Sequence, residues 1–222
     1  MSAERWATFD CYGTLVDWDS GVRAGLREVF EDDDGFPRYH ELERQIQAER
    51  PGERYREVMA LTLERLAKES GTPLGPGQRD ALGDALPGWP IHPDVPPGLA
   101  ELRERGWKLA ILSNTDRDFI EASMESIGVP FELAIVASEV GSYKPAHGHW
   151  KAFYEETGAD PAGHVHVAAS LFHDIAPANE LGIPGVWINR LGERPTTERP
   201  DAELPDLSGL AQALDRVLDR PT

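Results

Sequence analysis

The sequence lacks three features that mark large classes of protein. It has a single cysteine, Cys11, so no disulfide can form within the chain, which fits a reducing compartment. Only 22 Lys and Arg stand against 39 Asp and Glu, a net charge of −17, which argues against nucleic acid or an anionic membrane as partner. No apolar run approaches the roughly 20 residues of a membrane span. Residues 1–5 also lack the apolar stretch of a signal peptide, and we expect a cytoplasmic protein.

What is present is the composition of an ordinary globular protein. A chain of 222 residues predicts one domain, or one domain that carries a smaller insert. The 40% of hydrophobic residues and 27% of charged residues exclude a disordered chain. Such a chain hides roughly 70% of its unfolded surface on folding, so it can form a core without disulfides.

The hydrophobic pattern changes twice along the chain. A short apolar strand over residues 6–9 ends at Asp10, and from about residue 20 to residue 86 apolar residues recur at helical spacing. Five prolines then fall between Pro87 and Gly98, which we interpret as an irregular linker because proline lacks a backbone donor.

Beyond this linker, strands and helices alternate. The patterns predict strands over 108–112, 133–137, 164–168 and 186–188, helices over 99–105, 116–127, 147–157, 175–181 and 208–218, and a loop over 191–205. Such alternation predicts parallel strands joined by crossovers, so the fold class is α/β. We expect a parallel core of residues 1–17 and 90–222, interrupted by a helical block of residues 18–89.

Polar side chains follow the predicted strands at the points where they end. They are Asp10, Ser113 with Asn114, Lys144 and Asp174. Each alone has an ordinary interpretation as a turn cap, a helix cap or a surface lysine. Together they would meet at one edge of one sheet, where open α/β folds bind ligands, so they predict a site.

Four segments, in order, resemble the motifs of the haloacid dehalogenase superfamily. They are residues 9–17 (FDCYGTLVD), 112–115 (LSNT), 143–145 (YKP) and 169–175 (ASLFHDI). The resemblance extends from Trp6 to about Arg190. It implies a Rossmann-like parallel sheet core with an inserted helical cap domain, and Asp10 as a covalent nucleophile.

Within this superfamily the residues favour the metal-free dehalogenase branch over the phosphatases. Phosphatases carry a general acid two residues after the nucleophile, where this chain has Tyr12, and a phenol of pKa near 10 is a poor acid near pH 7. Their fourth motif supplies an acidic ligand to Mg²⁺, where this chain has Ala168 and Ala169. We therefore expect no cofactor. A Mg²⁺ ion held by Asp10 and Asp174 is the alternative.

Residues 10–14 are similar to the L-2-haloacid dehalogenases, and this similarity implies catalytic roles. Asp10 would displace the halide from carbon 2 and form an ester, which water would hydrolyse. Lys144 would neutralise Asp10, Asp174 would hold Lys144 and orient the water, and Ser113 would bind the substrate carboxylate. Backbone donors near Cys11, Tyr12 and Asn114 would also bind the substrate carboxylate. The hydroxyl of Thr14 would hydrogen-bond Asp10.

Three departures from that pattern leave the nucleophile intact but affect the substrate pocket. Leu171 stands where these dehalogenases have an asparagine, and leucine donates no hydrogen bond. Trp150 stands where they have a tyrosine six residues after the lysine. Spacing does not fix the cap arginine that would cradle the halide. Arg44 is our candidate and Arg38 its rival.

Other potentially reactive side chains are interpreted as structural. His173 adjoins Asp174 and is interpreted as a structural residue beside a helix start, with activation of water as the alternative. We expect His164 and His166 to be core or solvent residues, because no third metal ligand accompanies them. Cys11 alternates to the strand face opposite Asp10 and is expected in the core. Trp89 is expected to be a packing residue.

Three functions remain open at this point. The first is hydrolysis of a 2-haloacid or similar 2-substituted carboxylic acid through an aspartyl ester. The second is a Mg²⁺-dependent phosphatase acting on a small phosphomonoester. The third is a non-catalytic protein that binds a small acid on the same fold. The expected partner is a small anionic carboxylic acid, and hydrophobic cap faces make a homodimer possible.

Overall fold

The computed structural model describes residues 4–219 and contains one sheet of six parallel strands. The strands lie in the order β3-β2-β1-β4-β5-β6, and every neighbouring pair is parallel. Their bounds are β1 (Arg5–Phe9), β2 (Trp107–Ser113), β3 (Leu133–Val136), β4 (His164–Ala168), β5 (Gly185–Ile188) and β6 (Ala202–Leu204). The α/β fold predicted from the sequence is confirmed.

The helices separate into a group between β1 and β2 and a group that connects the later strands. The first group is α1 (Trp18–Phe30), α2 (Phe36–Glu49), α3 (Tyr55–Ser70), α4 (Ala81–Ala85) and α5 (Val95–Glu104). The second is α6 (Arg117–Ile127), α7 (Ala137–Val140), α8 (Gly148–Thr157), α9 (Ala176–Leu181) and α10 (Leu210–Leu218). No helix within residues 4–219 is long and apolar enough to cross a membrane.

The central strand β1 places Asp10 in the middle of the carboxyl edge of the sheet. Residues 6–9 are buried, as expected of a parallel strand covered on both faces, and they form a short apolar run. Strands β2 and β4 flank β1, and the backbone N–H of Asp10 donates to the carbonyl of Val167 at 3.0 Å. Ser113 ends β2, so it lies beside Asp10 on the same edge.

Two predicted segments differ from the structure. Helix α5 begins at Val95, inside the proline-rich stretch, because Pro96 and Pro97 occupy its first turn, where no intrahelical N–H is required. The predicted loop over 191–205 contains the edge strand β6. This strand has three residues and pairs only with β5, too short a segment to show an alternating pattern.

Asp116, at the start of α6, joins the first group of helices to the sheet. Its fully buried carboxylate accepts the backbone N–H groups of Tyr55 at 3.0 Å and of Arg56 at 3.1 Å, at the start of α3. It thereby satisfies two free donors of that helix end and complements its dipole. The hydroxyl of Tyr143 donates to the carbonyl of Glu53 at 2.7 Å, close by. Helices α2 and α3 are thus fixed beside the carboxyl edge.

Gly21 in α1 leaves room for the ring of Trp89, so substitution to alanine should destabilise the fold. A Cβ atom at Gly21 would lie 2.3 Å from Cδ2 of Trp89. We expect Gly21→Ala to cost about 1–3 kcal/mol from overpacking, which exceeds the gain of up to about 1 kcal/mol in helix propensity. Gly52→Ala is the control, because a Cβ there meets no atom within 4 Å. Equal urea midpoints for the two variants would contradict this account of the packing.

Candidate active site

The predicted catalytic residues line one cavity at the carboxyl edge of the sheet. The cavity measures about 440 Å³ and lies between the strand ends and helix α2. Its wall includes eight residues that the sequence singled out as site residues: Asp10, Tyr12, Arg44, Ser113, Asn114, Lys144, Leu171 and Asp174. Cavities of this size at the carboxyl ends of parallel strands commonly bind small molecules.

The loop after β1 turns back sharply and fixes the nucleophile. Gly13 has a φ of 94°, a conformation that an L side chain rarely adopts, and the carbonyl of Cys11 accepts the N–H groups of Leu15 at 2.7 Å and Val16 at 3.0 Å. The hydroxyl of Thr14 donates to Oδ2 of Asp10 at 2.8 Å and accepts the N–H of Ala169 at 2.9 Å. Thr14 therefore ties Asp10 to the segment after β4.

The ammonium group of Lys144 lies between the two aspartates and uses all three of its donors. Nζ donates to Oδ1 of Asp174 at 2.6 Å, to the carbonyl of Leu112 at 2.7 Å and to Oδ1 of Asp10 at 2.9 Å. The side chain is only 1% exposed. The amide of Asn114 holds the Lys144 backbone, donating to its carbonyl at 3.0 Å and accepting its N–H at 2.6 Å. Lys144 is thus a fixed positive charge.

Burial and this ammonium group set the charges of the two aspartates. Burial raises the pKa of Asp10 above its ordinary value, although Lys144 opposes the change. Burial also opposes ionisation of Asp174, but Lys144 and a hydrogen bond from His166 outweigh it and hold the pKa of Asp174 well below its usual range. Burial would lower the pKa of Lys144, and the two carboxylates raise it. Asp174 and Lys144 are therefore both charged at neutral pH.

A chain of buried hydrogen bonds supports Asp174 from behind. His166 Nε2 lies 2.9 Å from Oδ1 of Asp174, and its Nδ1 lies 2.8 Å from the hydroxyl of Thr8. That hydroxyl lies 2.7 Å from Nε2 of His164, whose Nδ1 lies 2.7 Å from the hydroxyl of Tyr154. Burial lowers the pKa of His164 to about 3, so it is neutral at pH 7. The two histidines are core residues, one of the two predicted interpretations, and the sequence did not reveal the contact of His166 with the site.

Two fully buried polar atoms at the cavity have no protein partner within residues 4–219. The hydroxyl of Ser113 and Oδ2 of Asp174 are fully buried and form no hydrogen bond there. An unsatisfied buried polar atom is costly, and each of these two would be satisfied by a ligand group or a water that reaches it. The phenol of Tyr12 lies 3.0 Å from the hydroxyl of Ser123, and burial raises its pKa above its ordinary value. Tyr12 is therefore a poor proton donor.

The structure corrects one predicted substrate contact, that of Trp150, and shows how Cys11 and Thr14 are placed. Trp150 does not line the cavity, because α8 turns it into a separate hydrophobic cluster, where its ring centroid lies 5.3 Å from that of His166. The side chain of Cys11 is buried in the main core, so only its backbone faces the loop around the site. The hydroxyl of Thr14 contacts Asp10, as expected, and Thr14 does not line the cavity.

The two candidate arginines differ in position. Arg44 lines the cavity, with its guanidinium 6.0 Å from the ring centroid of Phe172 at the rim. Arg38 instead forms two hydrogen bonds with Glu69 and one with Glu41 on the exposed side of α2. Of these two candidates, Arg44 is therefore the one that faces the cavity. His173, predicted to be structural, also lines the cavity, and its Nδ1 lies 3.1 Å from the hydroxyl of Ser170.

Several residues at or near the cavity could not be recognised as site residues from the sequence. They include Glu43, Gln47 and Tyr55 at the cavity and buried His149, whose Nε2 lies 3.0 Å from the carbonyl of Ser113. Glu43 and Gln47 are one turn apart on α2 and each directly follows a buried apolar residue, Leu42 or Ile46. This position beside the apolar face indicates that the polar pair faces inward.

The donor set does not fit a resident Mg²⁺ ion. Magnesium requires near-octahedral oxygen ligands, but Oδ1 of Asp10 and Oδ1 of Asp174 are both bound to Lys144. Ala169 provides no side-chain oxygen where an acidic ligand would be needed. Residues 4–219 contain no group of three or more His, Cys, Asp or Glu side chains placed to hold a metal ion.

Comparison with known proteins places this chain in a family. The chain belongs to the haloacid dehalogenase-like hydrolases, whose family model matches residues 5–182. The protein is therefore a hydrolase of the haloacid dehalogenase superfamily, as the four motifs indicated.

Curated relatives of this chain include both dehalogenases and phosphatases. An (S)-2-haloacid dehalogenase from Pseudomonas sp. (strain YL) is 30% identical in an alignment that covers 92% of this chain and 91% of the relative. A ribulose-1,5-bisphosphate 5-phosphatase from Halopiger xanaduensis is 31% identical over 81% of this chain and 71% of the relative. A crystal structure of an L-2-haloacid dehalogenase is similar with a TM-score of 0.83 at 25% identity, covering 96% of this chain and 100% of that chain.

Removal of the Lys144 charge should destabilise the protein and abolish turnover. Lys144→Met leaves two buried carboxylates facing one another, and breaking a buried ion pair typically costs about 3–5 kcal/mol. Lys151→Met is the control, because that side chain is 75% exposed and its nearest carboxylate oxygen is 3.8 Å away. Urea unfolding and steady-state kinetics measure both effects. A Lys144→Met protein as stable as the control would refute the proposed charge balance.

His166 is a positioning residue for Asp174, and its loss should change the pH profile. His166→Phe removes a hydrogen bond to a charged group, worth about 1.5–3 kcal/mol, and should lower kcat at least about tenfold. Without this donor, the ionised form of Asp174 is less favoured and its pKa rises. Activity should therefore be lost at a higher pH than in the wild type as the solution is acidified.

His164→Phe serves as the control for His166, because it leaves the contact between His166 and Asp174 in place. His166→Gln should restore part of the activity through its amide donor. If the acidic limb of the pH–activity profile is unchanged in His166→Phe, His166 contributes only to core packing and does not position Asp174.

Proposed function

We propose that this hydrolase cleaves a 2-haloacid, or a similar 2-substituted carboxylic acid, through an ester on Asp10 and without a metal ion. The observation that carries the proposal is the ammonium of Lys144, held at 2.9 Å from Asp10 and 2.6 Å from Asp174. Displacement at carbon needs an ionised carboxylate and no proton donor for the leaving halide. The engaged phenol of Tyr12 is consistent with that requirement.

The first step forms the ester. A carboxylate oxygen of Asp10 attacks carbon 2 of the substrate from the side opposite the halogen. A carbon–oxygen bond forms while the carbon–halogen bond breaks, and the halide leaves with the bonding electron pair. The unpartnered hydroxyl of Ser113 would donate to the substrate carboxylate, with backbone donors near Tyr12 and Asn114. Arg44 would attract the departing halide from the cavity wall.

The second step hydrolyses the ester. Water attacks the side-chain carbonyl carbon of the Asp10 ester, and the bond between that carbon and the alkyl oxygen breaks. One proton of the water passes to the alkoxide, which leaves as the 2-hydroxy acid with inverted configuration, and the other is released when the Asp10 carboxyl group ionises. Oδ2 of Asp174, which has no partner within residues 4–219, would accept a hydrogen bond from this water and orient it.

We further propose that residues 18–89 act as a cap domain on a core of residues 1–17 and 90–222. The support is that α2 and α3 supply one wall of the cavity while the strand ends supply the other. A closed wall excludes water from the first step and keeps Asp10 reactive. A homodimer and a cytoplasmic location stay predictions.

An isotope experiment separates the ester route from its alternatives. Enzyme in excess is mixed with (S)-2-chloropropionate in ¹⁸O water containing EDTA, and the peptide that carries Asp10 is weighed. We expect a gain of one ¹⁸O at Asp10, unlabelled lactate after one turnover and stoichiometric chloride release. Asp10→Asn should lose at least about a thousandfold in rate, because the nucleophile is absent.

Each other outcome would indicate a different mechanism or a different function. Labelled lactate with unlabelled Asp10 would mean that water attacks carbon 2 directly. Hydrolysis of p-nitrophenyl phosphate that requires Mg²⁺ would favour the phosphatase activity known for the relative from Halopiger xanaduensis. Inertness toward both, with tight binding of a small acid, would favour a binding protein.

A further inference from the structure

Helix α2 contributes two buried polar side chains to the cavity that contains Asp10. Glu43 and Gln47 lie one helical turn apart, are 6% and 7% exposed, and both line the cavity wall. Neither has a role in the two chemical steps above. Buried carboxyl and amide groups in a cavity wall are costly unless they find hydrogen-bond partners, so their presence requires an explanation.

The Glu43 carboxyl group is held in one orientation. The hydroxyl of Tyr55 donates to Oε1 of Glu43 at 2.8 Å, and Nε1 of Trp18 donates to that hydroxyl at 3.0 Å. The ring of Tyr55 in turn lies 6.4 Å from the ring of Tyr12, beside the nucleophile. Burial raises the pKa of Glu43 to about 7, which the Tyr55 hydrogen bond and Arg44 partly offset. The carboxyl group is therefore pre-positioned.

The side chain of Gln47 has no hydrogen-bond partner within residues 4–219. More than nine-tenths of the residue is buried, yet its amide atoms are not sealed from the cavity. An amide offers two donors and one acceptor, all of which are open to a ligand. A three-carbon haloacid with a methyl tail has no group to pair with it, and it would occupy only part of a 440 Å³ cavity.

We infer that Glu43 and Gln47 form a specificity subsite for a hydrogen-bond donor, a hydroxyl or an ammonium group, carried by the substrate beyond carbon 2. The inference rests on the proposed function for the reaction, but it concerns recognition only. The carboxyl oxygens of Glu43 and the amide oxygen of Gln47 accept the donor. Leu171 also lines the cavity, and its apolar side chain offers no competing hydrogen bond.

The kinetic test compares 2-chloropropionate with 2-chloro-3-hydroxypropionate and 3-amino-2-chloropropionate. The wild-type enzyme should favour a substrate with a donor by about tenfold to a hundredfold in kcat/KM. Gln47→Leu should abolish that preference while retaining activity on 2-chloropropionate. Glu43→Gln should keep the preference for the hydroxyl and lose any preference for the ammonium group. Gln45→Leu is the matched control, because Gln45 is exposed on the same helix.

A binding test stands independently of turnover. Calorimetry measures the affinities of lactate and glycerate, the products expected from the first two substrates, for wild type, Gln47→Leu and Gln45→Leu. Tighter binding of glycerate that is lost only in Gln47→Leu supports the subsite, even if no halide is ever released and the proposed reaction fails. Equal affinities in the wild type, or no binding of either acid, would overturn the subsite even if dehalogenation is observed.

Discussion

The contact of Lys144 with the two aspartates is the interaction on which the rest of the site depends. Without an ammonium group between them, Asp10 and Asp174 would be two carboxylates in a nearly dry environment, where one of them would take up a proton. All three donors of Lys144 are used, and one of them binds the carbonyl of Leu112 at the end of β2. The position of the nucleophile is thereby tied to the backbone of the sheet rather than to a mobile loop.

The buried chain behind Asp174 extends this rigidity through the sheet. Thr8 and His166 are register neighbours on β1 and β4, so the same pairing that places Asp10 at the centre of the edge also places a ring nitrogen against Asp174. His164 stays neutral because burial lowers its pKa to about 3. A buried chain of hydrogen bonds can hold a carboxylate in one orientation.

The order of the elements and the location of the site could be predicted from the sequence, because fully buried parallel strands are continuous apolar runs. Asp10 directly follows such a run, Ser113 ends one, and Asp174 comes six residues after β4, so the sheet brings all three together. The orientation of a helix about its axis is decided by packing, so Trp150 was wrongly assigned to the substrate. The inward positions of Glu43 and Gln47 on α2 were likewise missed, because polar helix residues usually face solvent.

The bond between Asp116 and the start of α3 has a consequence for the exchange of ligands. Any outward rotation of α3 that widens the mouth of the cavity must break two charge-assisted hydrogen bonds and leave a fully buried carboxylate whose remaining ion partner is Arg54, 3.6 Å away. Such bonds contribute about 1.5–3 kcal/mol each. An exchange of ligand that needs such a rotation would therefore be slowed by a backbone contact remote from the reacting atoms.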